Sequence, residues 1–209
     1  MKQIAPLTVA ALVGLTSLAC GGGSAPPPSE DEATREGVFG SSPVAFQGVP
    51  STIMLRPTAG DPVPVPEGPA VLDQLSLTFM PKELVVRAGQ MVLFANSESL
   101  AHNVHVWWME NDSSIYFADM DPGDRYELLL EREGAYDITC DEHPGMRAVI
   151  YVTSAPYATF AAPNGDFEMS DVPPGSYTAQ VWSAPTGLSA EVPVVVSAGG
   201  TEVDLTGGQ

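Results

Sequence analysis

Three observations predict an all-β protein built as antiparallel sandwiches. Gly and Pro contribute 20 residues each to a chain of 209, a density of punctuation that favours short strands joined by turns over long helices. Apolar residues alternate with polar ones over short runs, the period of a half-buried strand. No stretch carries an amphipathic helical pattern longer than two turns. Hydrophobic residues make up 44% of the chain, enough to pack a core.

The elements follow in order. Lys2 precedes an apolar run from Ile4 to Ala19 that Pro6 interrupts. The run is too short and broken to span a bilayer, and it predicts a signal peptide over residues 1–19. Ser17-Leu18-Ala19-Cys20 and the Gly-Gly-Gly-Ser that follows resemble a bacterial lipobox, which implies acylation of Cys20. Ser17 departs from the leucine usual there, and an ordinary signal-peptidase site is the alternative. Gly, Pro and acidic residues then predict a lipid-anchored flexible tether over 20–42. Residues 43–71 hold an apolar strand at Thr52–Arg56 and a Pro-rich connector from Gly60 to Pro69.

Beyond the connector the strand pattern is dense. Leu84 and Val86, Met91 to Ala95, His102 to Trp108, Tyr126 with Leu128 and Leu130, and Tyr136 with Ile138 and Cys140 each mark one strand. Ala148 to Val152 is apolar throughout and predicts a strand buried on both faces. Asp121-Pro122-Gly123-Asp124 and Glu133-Gly134 supply turns. This block is expected to form one sandwich over 72–153. A second block, 154–209, contains the hairpin signal Asn164-Gly165, the turn Pro173-Pro174-Gly175, and strands around Tyr177–Val181, Val192–Val196 and Val203–Leu205. It is small for an independent core, so it is expected to pack on the first or to recruit the strand at Thr52–Arg56.

Charge excludes some functions. With 26 acidic residues against 8 basic and a net charge of −18, the surface would be repelled by phosphate backbones. No nucleic-acid partner is expected. Anionic membranes repel it too, so membrane contact is expected only through a lipid anchor. The only cysteines are Cys20 and Cys140. Acylation of the first leaves the second a lone thiol in an oxidising compartment, and a Cys20–Cys140 disulfide is the alternative.

The chemistry concentrates in Cys140-Asp141-Glu142-His143-Pro144-Gly145-Met146. A thiolate, an imidazole and a thioether fall within seven residues, between the end of one predicted strand and the start of the next. His102 opens an earlier strand. Two His, one Cys and a weak Met make the donor set of a blue-copper site, soft enough for Cu(I) and still suited to Cu(II). Zinc fits less well, because thioether is a poor zinc ligand. His105 lies three residues from His102, so on a strand it faces the other way, and it is read as a surface or partner-facing residue. Trp107 and Trp108 read as core and rim aromatics, and Met109 and Met120 as gap-fillers. The acids from Glu110 to Asp121 lack the spacing of a calcium loop.

Asn96 to Val104 around His102, Asp121 to Tyr126, and Gly134 to Met146 together resemble a plastocyanin/amicyanin-type cupredoxin. The Cys-x2-His-x2-Met loop is the short, amicyanin-like form. The resemblance implies one type 1 copper, cycling between Cu(I) and Cu(II), with His102, Cys140 and His143 as equatorial ligands and Met146 as axial ligand. Asn103 would brace the ligand loop. It also implies single-electron transfer in the cell envelope with a redox partner protein, a cytochrome or a copper oxidase, and no enzymatic bond-making. Asp141 and Glu142 make this loop more acidic than usual and are expected to point to solvent. Pro156 to Tyr177, with Asn164-Gly165, Val172 and Gly175 at its turns, resembles the transthyretin-like, carboxypeptidase-regulatory module. Pro43 to Pro57 could supply its first strands, which would make the cupredoxin an insertion in a split sandwich. Two other functions remain open: a periplasmic Cu(I) chaperone or buffer, and an adhesion or scaffold module without functional metal. The expected location is across the inner membrane, lipid-anchored at the periplasmic or outer-membrane face.

Overall fold

The computed structural model describes residues 35–207. The expected signal peptide, Cys20 and the first part of the expected tether lie outside these residues. The described chain is all strand and turn, as the composition and alternation predict. In order the strands are β1 (Val38–Ser41), β2 (Thr52–Pro57), β3 (Ala70–Gln74), β4 (Phe79–Met80), β5 (Glu83–Arg87), β6 (Met91–Asn96), β7 (His102–Trp108), β8 (Ser113–Met120) and β9 (Arg125–Leu129). They continue with β10 (Gly134–Thr139), β11 (Arg147–Thr153), β12 (Tyr157–Phe160), β13 (Asp166–Met169), β14 (Gly175–Ser183), β15 (Gly187–Leu188), β16 (Val192–Val196) and β17 (Thr201–Asp204).

Two lobes result. The middle lobe comprises a sheet of order β4-β3-β6-β9 and a sheet of order β5-β11-β10-β7-β8. Leu72, Phe79, Val92 and Phe94 from the first meet Val104, Val106, Ile138 and Ile150 from the second in one core. The terminal lobe draws on both ends of the described chain. Its sheets are β13-β1-β17 and β12-β2-β14-β15, with β16 also on β14. Val38, Phe167 and Met169 from one sheet pack on Ile53, Leu55, Ala179 and Val181 from the other. The chain therefore starts in the terminal lobe, builds the middle lobe, and returns. β2 pairs antiparallel with both β12 and β14, so the Thr52–Arg56 run closes the later block across a large separation in sequence.

Strand alternation explains the joint between the lobes. Ile53 and Leu55 of β2 face the terminal core, while Met54 faces the joint. Ala148, Ile150 and Val152 of β11 face the middle core, while Val149 and Tyr151 face the joint. Trp182, Ala135 and Val49 complete this third apolar cluster. β11 is thus covered on both faces, which is why its run from Ala148 to Val152 is apolar without interruption.

One expectation needs correction, and one strand needs adding. The tether expected over 20–42 gives way at Val38, because β1 is the central strand of its sheet, antiparallel to β13 and parallel to β17. Val38 is fully buried. The sequence signal for β1 is weak because the strand is short and interrupted by glycine. Gly40 has φ of 155°, and a Cβ there would stand 1.8 Å from the Val203 carbonyl oxygen, so the close approach of β1 to β17 requires glycine. The acid-bearing segment after Trp108 holds a strand not assigned from the sequence. Ser113–Met120 forms β8, an edge strand on β7. Its β-formers Ile115, Tyr116 and Phe117 are obscured in the sequence by flanking acids, and the edge position tolerates both.

Candidate metal centre

β7 and β10 pair antiparallel with Thr139 opposite His105. That register brings the end of β10 beside the start of β7. It places Cys140, the residue after β10, near His102, the first residue of β7. The loop from Cys140 to β11 is tied across its base: the Cys140 amide donates to the Met146 carbonyl at 3.3 Å, and the Met146 amide donates to the His143 carbonyl at 3.1 Å. Gly145 takes φ of 106° in this turn, a conformation that favours glycine.

Three side chains converge here. His102 Nδ1 lies 3.0 Å from His143 Nδ1. Cys140 Sγ lies 3.9 Å from His102 Nδ1 and 3.7 Å from His143 Nδ1. A point equidistant from the three atoms is about 2.1 Å from each, the length of a bond from a first-row metal to imidazole nitrogen or thiolate sulfur. Two imidazole nitrogens and a thiol sulfur this close, in a protein interior, are the donor set of a trigonal His2Cys copper site. The residues present therefore fit copper. Among the described residues, no other group of His, Cys, Asp and Glu converges in this way. Cys140 is buried and has no disulfide partner among the described residues, and the alternative bond to Cys20 lies outside them. Met146 is buried on the same loop, in the middle core with Cys140.

The surrounding groups hold these atoms in place. Asn103 Oδ1 accepts from the Asp141 amide at 2.8 Å, and the Asn103 amide donates to Cys140 Sγ at 3.5 Å. Asn103 thus ties β7 to the ligand loop and offers the sulfur a donor, as the sequence suggests. Gln74 Nε2 donates to the Asn103 carbonyl at 2.9 Å, bracing β7 from β3. Glu98 completes the arrangement: its Oε2 is 3.2 Å from His102 Nε2 and accepts from the Leu77 amide at 3.0 Å. The Leu77 amide holds the Glu98 carboxyl below the usual carboxylate range, and the His102 ring pulls in the same direction. An ionised Glu98 makes His102 Nε2 the protonated nitrogen and leaves the Nδ1 lone pair pointing at the cluster. Glu98 and Gln74 were not legible in the sequence. Glu98 lies within the segment around His102 but nothing there marks it as a partner of that ring, Gln74 sits in no motif, and only the loop fold over His102 and the β3–β6 pairing bring them in.

His105 faces away from this cluster, as its spacing predicts, but it is not a loose surface group. Its side chain is 14% exposed and bonds Asp141 Oδ2 at 3.0 Å. Asp141 is 52% exposed, so it meets solvent and His105 together. Trp108 is buried against Tyr136, and Met120 lies in the middle core.

The profile of the family described as copper binding proteins, plastocyanin/azurin family, matches residues 69–153. Amicyanin from Paracoccus denitrificans is 32% identical over 89 residues, covering 42% of this chain and 68% of that protein. This chain belongs to the plastocyanin/azurin family. Plastocyanin from Ginkgo biloba is 33% identical over 82 residues, covering 34% of this chain and 80% of that protein. A solved structure of a reduced amicyanin mutant is 30% identical with a TM-score of 0.38, covering 42% of this chain and 85% of that one. Copper-binding electron transfer is the activity of this family, and the matched span is the middle lobe, strand β3 to strand β11.

Proposed function

We propose that the protein holds one type 1 copper and carries single electrons in the bacterial cell envelope. The observation that carries this reading is the triangle of His102 Nδ1, His143 Nδ1 and Cys140 Sγ, whose centre lies at bond length from all three. Met146, buried on the same loop, would be a further, weak thioether donor. Copper supplies a one-electron couple whose thiolate bond suits both oxidation states.

The chain does the rest by holding still. Asn103 bonds the ligand loop and the sulfur, and Glu98 keeps the His102 ring in one tautomer and one orientation. Ligands fixed this way from two strands and one tied loop change little between oxidation states, so little reorganisation opposes transfer. His143 is half-buried while its neighbours Pro144 and Gly145 are exposed, so its ring edge is the port. Leu77 and Leu100 stand exposed on loops that bond Glu98 and Asn96 beside the site. They extend an apolar docking patch for a cytochrome or copper oxidase. The net charge of −18 would speed encounter with a basic partner at low salt.

The same proposal covers the ends of the chain. Cys20 is the acylated first residue of a lipoprotein, which would anchor the carrier to the membrane. The terminal lobe is a non-catalytic, transthyretin-like support, consistent with its apolar core and split strands.

The test is a visible absorption spectrum of residues 21–209 after addition of Cu(II), with Cys140→Ser as control. An intense thiolate-to-copper band, lost in the variant and bleached by reductant, is expected. Cu(I) binding with no such band would replace electron transfer by copper delivery.

A further inference from the structure

A second cluster lies on the outer face of the same sheet, turned away from the metal centre. His105 on β7 bonds two groups through its two ring nitrogens. Nδ1 is 3.0 Å from Asp141 Oδ2, and Nε2 is 2.7 Å from Ser114 Oγ. A carboxylate beside Nδ1 takes that nitrogen's proton as its hydrogen-bond donor. Nε2 then presents its lone pair to the Ser114 hydroxyl. A serine hydroxyl, an imidazole and an orienting carboxylate in this relation form the nucleophile–base–orienter chain of acyl transfer.

Each member is positioned by something other than this chain of bonds. The Asp141 amide is fixed to Asn103 Oδ1 at 2.8 Å. His105 is packed against the Trp107 ring at 4.2 Å and edge-on to Phe117 at 5.3 Å, so the base is restrained. Ser114 sits where the β7–β8 ladder slips: Val106 pairs with Tyr116 and Trp107 with Ser114, which leaves Ile115 outside the register. A bulge of this kind re-aims a side chain and leaves the extra residue unpaired. β8 is an edge strand, so the amide following Ser114 belongs to a residue with no ladder partner. The backbone amide after the nucleophile is a standard oxyanion donor.

We propose that Ser114, His105 and Asp141 form an acyl-transfer site for small aryl esters, separate from the metal centre. Ser114 Oγ bonds to the ester carbonyl carbon while its proton passes to His105 Nε2. The Ile115 amide meets the developing oxyanion. The bond to the leaving oxygen then breaks, and His105 returns the proton to that oxygen, releasing the alcohol. Water adds to the acyl-Ser114 carbonyl by the same route, releasing the carboxylic acid and restoring the hydroxyl. Asp141 holds the His105 ring and stabilises its charged form. The half-buried Trp107, paired across the ladder with Ser114, and the exposed Phe117, edge-on to His105, offer an aryl group a face on which to stack.

The test is hydrolysis of p-nitrophenyl acetate by the full chain, with the acetylated residue located by peptide mass spectrometry. Ser114→Ala and Asp141→Asn are compared with the parent, and circular dichroism melts check that both fold. An acetyl group on Ser114 is expected, with p-nitrophenolate release lowered about a hundredfold in Ser114→Ala and at least about tenfold in Asp141→Asn. An acetyl group found only elsewhere, for example on Cys140, overturns the proposal. So does a folded Ser114→Ala protein that releases p-nitrophenolate at the parental rate.

Discussion

The two lobes solve the same packing problem and differ at one end. Both bury alternate strand residues between two sheets, with Ile138, Ile150 and Val104 in one core and Ile53, Leu55 and Val181 in the other. The terminal lobe's buried polar groups are hydroxyls: Ser42 and Ser51 bond the carbonyls of Gly165 and Pro43, while the Thr52 hydroxyl has no hydrogen-bond partner among the described residues. Besides the Thr153 hydroxyl at the end of β11, the middle lobe buries an imidazole and three amides: His102, Gln74, Asn96 and Asn103. Each makes at least one specific bond, Gln74 through its amide nitrogen only, and all cluster at the ligand end. Asn96 alone binds the carbonyls of Leu100 and Met120, closing the loop that carries Glu98. Such groups cost stability unless paired. Their concentration in one lobe separates a lobe built to hold a site from one built to hold together.

Four experiments would break or sharpen that contrast. The largest effect is expected from Cys140→Ser, which removes the sulfur donor. All thiolate-to-copper absorption should vanish while the metal-free protein melts near the parental temperature. A collapse of folding would instead make the cluster structural. Next, Ile53→Ala empties part of the terminal core. Denaturant unfolding should show a loss of about 2–5 kcal/mol, with the copper spectrum of the folded protein unchanged. A changed spectrum would mean the lobes communicate through Met54 and Tyr151.

The third is an alkaline titration. Burial raises the phenol pKa of Tyr136 in the middle core, Tyr177 in the terminal core and Tyr151 at the joint above the ordinary 10.0. The unfolded chain then releases these protons first. Stability is intact below pH 10 and falls as pH rises beyond it. Unfolding monitored against pH should show both lobes failing in that window. A stability that stays flat to higher pH would contradict the burial of these rings. The smallest effect is expected from Glu98→Gln. The amide can still bond His102, but the negative charge is gone. Cu(II) affinity should fall about tenfold, and the potential should rise, with the absorption band retained. An unchanged potential would show that Glu98 only fills space.

Much of the site was legible in the order of residues along the chain. Cys140, His143 and Met146 share one loop, so their spacing alone announces a common purpose. His102 could be matched to them only through the residues around it. What surrounds them was not legible. Glu98 reaches His102 because a loop folds back, and Gln74 reaches Asn103 because β3 pairs with β6. Neither pairing leaves a local pattern. The bond from Asp141 to His105 was missed for the same reason. Alternation shows which way His105 points but not what waits there, and β8, which brings Ser114, was hidden among acids.

By itself the sequence determined the all-β class, through its density of Gly and Pro and its period-two alternation. It also determined the soft donor set, through short-range spacing that needs no fold to be read. Only the tertiary structure decided the rest. Pairing β2 with β14 and β1 with β17 joins the two ends of the described chain into one lobe. The β7–β10 register closes the donor triangle. These are choices between strands far apart in sequence, made by which apolar faces cover one another. That covering depends on the whole set of strands at once, so no local pattern records it.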